Sequence, residues 1–199
     1  AADSPLHIFS ATKSVVSLLI GIAMDQGAIQ SVDQKVFDFF PEYEFFEGEQ
    51  VKKNVTIRQL LTMTAPYKHE VEPYEDYFMS DNHVRFALDH LGGSGSEAAG
   101  TFRYAPLVGP DILTGILVKA TGKSVLAFAT ETLFAQLGIS VERTLVFQNQ
   151  QEQFAFYEAK DISGWVADAA GVNTAGWGLT LTTEDMAKIG QLYMNEGLW

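Results

Sequence analysis

The chain contains no cysteine among its 199 residues. This absence excludes disulfide bonds, a thiolate nucleophile and zinc sites of the cysteine type, and it leaves the redox compartment open. Long hydrophobic runs are also lacking, because the longest apolar stretch, which follows Ser10, is interrupted by Gly21 and is far too short to cross a bilayer. No signal peptide is apparent. We therefore expect no membrane insertion of this chain, and its localisation stays unknown.

Positive charge is scarce, since 13 lysines and arginines stand against 25 acidic residues and the net charge is -12. Nucleic acids and anionic lipid surfaces would repel such a chain, and we expect neither as a partner. The four histidines have no metal-ligand spacing with carboxylates, and no glycine-rich phosphate loop follows a predicted strand. The sequence therefore predicts no metal and no cofactor, and it leaves the oligomeric state undetermined.

Helical patterns dominate the chain, and strand patterns are few. Predicted helices cover 10–26, 36–40, 57–63, 80–91, 110–120, 124–136 and 182–197. Three of their starts have capping residues: Thr56 for the third, Ser80 for the fourth, and Thr182 with Asp185 for the last. Short strands are predicted over 144–147 and 179–182. The glycine-rich run 92–96 predicts a flexible loop, and the acidic segments 42–49 and 70–76 predict solvated loops.

The segment Ser10-Ala11-Thr12-Lys13 places a hydroxyl and an amine one helical turn apart, at the start of an apolar helix. The helix dipole and the apolar neighbours both disfavour a protonated amine, which predicts Ser10 as a nucleophile and Lys13 as its base. The apolar run behind them predicts a helix buried at the centre of a domain. A structural alternative makes Ser10 a helix cap and Lys13 a snorkelling side chain.

Further segments follow this motif along the chain in a definite order. They are Phe9-Ser10-Ala11-Thr12-Lys13-Ser14, Thr56-Ile57-Arg58-Gln59-Leu60-Leu61-Thr62-Met63-Thr64, Gly100-Thr101-Phe102-Arg103-Tyr104, Ile112-Leu113-Thr114-Gly115-Ile116-Leu117, Thr121-Gly122-Lys123-Ser124, Leu137-Gly138-Ile139, Gly176-Trp177-Gly178-Leu179 and Gly190-Gln191-Leu192-Tyr193-Met194-Asn195. This order resembles the serine β-lactamase and penicillin-binding-protein superfamily. The most similar branch is the class C-like one, which includes D-alanyl-D-alanine peptidases and β-lactamase-type esterases.

The resemblance implies an α+β fold of the β-lactamase/transpeptidase type. Residues 1–199 would form the mainly helical part of a single domain, truncated at both ends, with most of the antiparallel sheet outside this chain. The family mechanism implies a small-molecule acyl substrate and an acyl-enzyme on Ser10, whose own N–H would form half of the oxyanion hole. Lys13 would be the base, and Tyr104 matches the tyrosine of the second family motif, Tyr-x-Asn. Trp177 and Gly178 are candidate substrate-binding residues.

Two departures from the family pattern affect the expected chemistry. The third residue of the second motif is Pro106 rather than asparagine, which removes a side-chain amide that would assist Lys13 and hold an amide substrate. The third motif, Lys-Thr-Gly or His-x-Gly on a strand after the last helix, is not in its place, and His90-Leu91-Gly92 is better explained as a helix end. We therefore expect ester hydrolysis to be favoured over β-lactam or peptide turnover, and this chain alone to be a weak catalyst.

Three alternatives stay open at this point. Ser80-Asp81-Asn82 spells the second motif of class A β-lactamases, although helix capping explains the same residues. The protein could instead be a non-catalytic member of the fold that binds a cell-wall peptide or β-lactam as a sensor. It could also be a helical interaction domain in which Ser10 and Lys13 are structural.

Overall fold

The computed structural model describes residues 4–68, 71–92 and 100–198, so His69 and most of the predicted glycine-rich loop lie outside the described residues. Helices predominate in this part of the chain, as the sequence predicts. They are α1 Thr12–Asp25, α2 Ile57–Leu61, α3 Tyr74–Met79, α4 His83–His90, α5 Val108–Thr121, α6 Val125–Ala129, α7 Ala135–Leu137, α8 Gln150–Glu158 and α9 Thr183–Met194. A π-helical stretch, Thr130–Phe134, joins α6 to α7, and 3₁₀ turns occur at Phe9–Ala11, Val36–Asp38 and Glu49–Asn54.

The described strands are short and form two separate pairs. Strand β1, Leu6–His7, is antiparallel to β4, Thr180–Leu181, and β2, Thr144–Val146, is parallel to β3, Trp165–Ala167. Predicted strands 144–147 and 179–182 correspond to β2 and β4. Strand β3 was not predicted because all three of its residues are buried, which removes the alternation of apolar and polar residues that identifies a strand. The α+β class follows from these helices and strand pairs.

Helix α1 buries one side and leaves the other open. Its buried positions repeat at helical spacing and are Thr12, Val15, Val16, Leu19, Ile20 and Ala23. The opposite face exposes Ser14, Ser17 and Gly21. In the described structure the predicted burial of this helix is thus present on one side of α1, and apolar residues such as Leu18 and Ile22 are partly covered.

Helix α5 lies at the centre of the core, where it packs against α1, α2, α4 and α6. Every residue from Val108 to Leu117 is buried. A Cβ atom at Gly115 would lie 2.5 Å from a Val84 methyl group, so glycine permits the close approach of α4. Helix α5 ends at Gly122, whose φ of 69° is the left-handed cap conformation that glycine adopts without strain. The central helix thus brings its N-terminal turn, which follows Tyr104, into the interior.

Two predicted helix starts have different outcomes. The capping box at Thr182 and Asp185 is confirmed, since each side chain accepts a backbone hydrogen bond from the other residue. Ser80 does not cap α4. Asn82 does so instead, because its side-chain oxygen accepts from the Arg85 backbone N–H at 2.8 Å, and the cap therefore lies two residues later than predicted.

One residue of the first acidic segment, Glu49, is less solvated than predicted. Glu49 is only 5% exposed and forms ion pairs with Lys52 at 2.8 Å and Lys68 at 2.9 Å. Burial raises the pKa of Glu49, but the hydrogen bonds from the two lysines outweigh it and lower the pKa to about 2. The expectation of solvent exposure is therefore wrong for Glu49, because its lysine partners cover an acidic residue that composition alone assigns to the surface.

Among the described residues no single helix is long and apolar enough to cross a membrane. One bent pair, Val108–Thr121 with Val125–Leu137 at 76°, meets the length and composition criteria together.

Candidate active site

Ser10 lies in the 3₁₀ turn that immediately precedes α1, rather than inside the helix. The preceding residue, Phe9, has a φ of 43°, which is a strained backbone conformation for a bulky side chain. Thr12 holds this turn, because its buried hydroxyl donates to the Phe9 carbonyl at 2.7 Å and accepts from the Leu179 N–H at 3.4 Å. The Ser10 side chain is therefore exposed at the surface, while the hydrogen bonds of Thr12 hold the backbone of the turn in place.

The Lys13 amine lies between Ser10 and the backbone of a distant loop. Its Nζ donates to Ser10 Oγ at 3.0 Å and to the Gly176 carbonyl at 2.6 Å. The predicted contact between the two side chains is present. Burial lowers the pKa of Lys13, while the charges of Tyr104, Asp111 and Glu72 act in the opposite direction. A lowered pKa is what a lysine needs to act as a base near neutral pH.

Tyr104 reaches the same serine from the loop that leads into α5. Its hydroxyl lies 3.0 Å from Ser10 Oγ, and its ring centroid lies 5.7 Å from Lys13 Nζ. The side chain is 54% exposed, so the side of the cluster that faces solvent is open. Ser10, Lys13 and Tyr104 thus converge, with an amine and a phenol hydroxyl each 3.0 Å from one serine hydroxyl.

Gly176 is wedged against the loop that carries Tyr104. A Cβ atom at this position would lie 2.2 Å from the Pro106 carbonyl oxygen, which is backbone and has little freedom to move. Because Gly176 has no side chain, segment 175–177 can approach both Lys13 and the Tyr104 loop. Only glycine fits between them without a shift of the backbone.

We expect Gly176→Ala to lower the free energy of unfolding by about 1–3 kcal/mol, because the added methyl group overlaps the Pro106 carbonyl. Thermal unfolding followed by circular dichroism measures this. Gly190→Ala is the matched control, since Gly190 lies in α9 with open space around its Cβ position and alanine is the better helix former. A Gly176→Ala protein as stable as the control would contradict the assigned close contact.

Glu72 supports the start of α5 below the Tyr104 loop. Its carboxylate accepts hydrogen bonds from the backbone N–H groups of Leu107 at 2.9 Å and Val108 at 2.9 Å. Leu107, at the cap position, provides no side-chain bond of its own. Burial raises the pKa of Glu72. Sequence reasoning missed this residue because it caps a helix that starts 36 positions later along the chain.

The two candidate substrate-binding residues are mostly enclosed. Trp177 is 7% exposed, and its Nε1 donates to the Tyr77 hydroxyl at 3.2 Å. Gly178 has a φ of 93°, and a Cβ there would lie 2.6 Å from Thr174 Oγ1. They are the next two residues after Gly176, whose carbonyl accepts from Lys13 Nζ. Their role in binding substrate stays a prediction.

Ser80-Asp81-Asn82, the alternative second motif, does not bring its asparagine into contact with Ser10. Asn82 caps α4, and Ser80 Oγ donates to the Asn82 carbonyl at 3.1 Å. Tyr104, not Asn82, contacts Ser10. Within residues 4–68, 71–92 and 100–198, no group of three or more histidine and acidic side chains is arranged to hold a metal ion.

One protein family matches nearly the whole chain. Residues 1–198 match the family model described as Beta-lactamase. No curated protein sequence matches the chain at a significant level.

Solved structures share the fold at low sequence identity. A putative 6-aminohexanoate-dimer hydrolase from Bacillus anthracis is 19% identical with a TM-score of 0.70, and the alignment covers 100% of this chain and 50% of that one. The octameric penicillin-binding protein homologue from Pyrococcus abyssi is 21% identical with a TM-score of 0.68, covering 100% and 46%. A class C beta-lactamase from Rhodobacter sphaeroides is 18% identical with a TM-score of 0.65, covering 100% and 54%. The chain therefore spans about half the length of these proteins.

Proposed function

Because the chain belongs to the beta-lactamase family, we propose that it carries the nucleophile, the base and the tyrosine of a serine hydrolase that forms an acyl-enzyme on Ser10. One observation carries the proposal: Ser10 Oγ lies 3.0 Å from both Lys13 Nζ and the Tyr104 hydroxyl. A serine that only caps a helix needs neither partner. The half-length match supports the further proposal that residues 1–199 are the helical part of a single larger domain.

The arrangement accounts for both proton transfers of acylation. Neutral Lys13 accepts the Ser10 hydroxyl proton as Oγ forms a bond to the substrate carbonyl carbon. The Ser10 backbone N–H stabilises the oxyanion of the tetrahedral intermediate. Collapse of the tetrahedral intermediate breaks the bond to the leaving group, and the leaving group takes a proton from Tyr104. The tyrosine regains a proton from the Lys13 ammonium. A water molecule then attacks the carbonyl carbon of the acyl-enzyme with the same proton transfers. The bond to Ser10 Oγ breaks, the serine regains its proton, and the carboxylic acid product is released.

Esters suit this site better than β-lactams or peptides. We expect activated esters such as short-chain p-nitrophenyl esters to be hydrolysed faster than penicillins or cephalosporins, because Pro106 offers no side-chain amide to a substrate amide. An unpaired substrate amide costs roughly 1–3 kcal/mol, or about tenfold to a hundredfold in discrimination. Steady-state kcat/KM values for both substrate classes measure this ratio.

The variant Pro106→Asn tests the cause of the preference. It restores the missing amide and should raise β-lactam turnover relative to ester turnover. A wild-type protein that turns over β-lactams faster than esters would overturn the expectation. An unchanged ratio in the variant would show that Pro106 is not the reason.

Trapping the acyl-enzyme tests the proposed function directly. The complete natural polypeptide that carries this chain is incubated with a fluorophosphonate or a slow ester, and intact mass followed by peptide mapping locates the adduct. We expect one adduct, on Ser10. An unlabelled Ser10 would favour the helical interaction domain, and labelling without ester turnover would favour the sensor.

A further inference from the structure

A buried acid lies directly behind the segment that holds Lys13. Asp111, in the first turn of α5, is 1% exposed. Its Oδ1 accepts hydrogen bonds from the backbone N–H of Ala175 at 2.7 Å and of Gly176 at 3.3 Å. Its Oδ2 accepts from the Tyr77 hydroxyl at 2.5 Å. The catalytic steps proposed above do not use this residue.

The hydrogen bonds around Asp111 match the acceptor pattern of a carboxylate. Trp177 Nε1 donates to the Tyr77 hydroxyl, so the tyrosine directs its own hydrogen to Asp111. All three groups on the acid therefore donate, which an ionised carboxylate satisfies completely. Burial raises the pKa of Asp111, and this effect outweighs the lowering by His83, whose Nδ1 lies 3.8 Å from Oδ2, and by the three hydrogen bonds.

Asp111 and Lys13 meet at opposite ends of one short stretch of backbone. The Gly176 N–H points to Asp111, and the Gly176 carbonyl accepts from Lys13 Nζ at 2.6 Å. A side chain at position 176 would overlap the Pro106 carbonyl on the neighbouring loop, so the close approach of this backbone requires glycine. Where the family pattern has an asparagine side chain to assist the lysine, this chain has Pro106, and the Gly176 carbonyl is the acceptor that the structure provides.

We propose that Asp111 is a positioning residue that acts through Gly176 to hold the Lys13 amine against Ser10. The inference rests on the proposed function of Ser10 and Lys13. Its physical basis is that a buried carboxylate fixing two consecutive peptide N–H groups also fixes the carbonyl that orients the lysine. A displacement of about 1 Å at such a group is enough to lower a reaction rate about a hundredfold.

The test compares Asp111→Asn and Asp111→Ala with the wild type in the complete polypeptide. Asparagine keeps an acceptor for the two N–H groups and removes the charge, whereas alanine removes both. Asp168→Asn is the matched control, because Asp168 is also buried and accepts two backbone N–H groups, from His83 and Val172, without contacting residues 175–176. The readouts are the pH dependence of Ser10 acylation per folded molecule and the titration of ¹³C-labelled Lys13 by NMR.

We expect Asp111→Ala to lower the maximal acylation rate about 10- to 100-fold and Asp111→Asn to recover most of it. The charged or titratable groups facing Lys13 are Tyr104, Asp111 and Glu72. Loss of the Asp111 charge lowers the pKa of Lys13, so both variants should move the acid limb of the rate profile to lower pH while the control does not.

Unchanged maximal rates and unchanged Lys13 titration in both variants would overturn the proposal, even if the folded fraction falls. If the alanine variant does not fold, the Lys13 titration of Asp111→Asn decides. A wild type that is never acylated would refute the proposed function instead, and the NMR titration would still show whether Asp111 controls the Lys13 amine.

Discussion

Replacement of Ser10 by alanine is expected to lower ester hydrolysis by roughly 10⁶-fold, the order of loss that follows removal of the nucleophile of a serine hydrolase. The nearby Thr12 hydroxyl is unable to take its place. Thr12 is fully buried, and its Oγ1 is already bonded to the Phe9 carbonyl. The Tyr104 hydroxyl would lose its partner at 3.0 Å but would stay in solvent contact. Steady-state hydrolysis of a p-nitrophenyl ester and mass spectrometry of the adduct measure the loss.

Ser14→Ala provides the matched control for this substitution. Ser14 lies in α1, four residues after Ser10, and it is exposed on the open face of that helix. We expect its removal to leave both hydrolysis and labelling at wild-type levels. If the Ser10→Ala protein were labelled at the wild-type rate, the nucleophile would lie elsewhere and the assignment of Ser10 would be contradicted.

Replacement of Lys13 by arginine is expected to lower the rate of acylation by about 10²–10⁴-fold, the usual contribution of a general base. Arginine keeps the positive charge, but its guanidinium does not release a proton in proteins, so it is unable to accept one from Ser10. The comparison therefore separates the basicity of Lys13 from its charge. Lys35→Arg, at an exposed lysine bonded to Asn54, is the control for the substitution itself.

The pH profile provides a second test of Lys13. The active form of a base is the neutral amine, so the rate should rise with pH through the pKa of Lys13 and then reach a plateau. Because burial lowers that pKa, the rise should occur below the pH at which an exposed lysine titrates. The Lys13→Arg protein should lack this rise. A wild-type profile whose rise coincides with that of an ordinary lysine would contradict the lowered pKa.

The site shows how far local sequence carries such predictions. Ser10 and Lys13 are three residues apart, and the short spacing fixes their contact once a helical turn forms. Pro106 was identified as a departure from the family pattern without any structure. Its consequence for Lys13 was not predictable, because the replacement acceptor at Gly176 lies 163 residues further along the chain.

The sequence by itself determined the predominance of helices, the capping box at Thr182, the positions of two strands and the family, since these depend on local periodicity, on short spacings and on the order of motifs. Only the tertiary structure decided which distant groups meet. Tyr104 is brought to Ser10 across 94 residues, and Asp111 is brought to Gly176 across 65. Such contacts depend on how α1 and α5 pack together, and no local pattern encodes that packing.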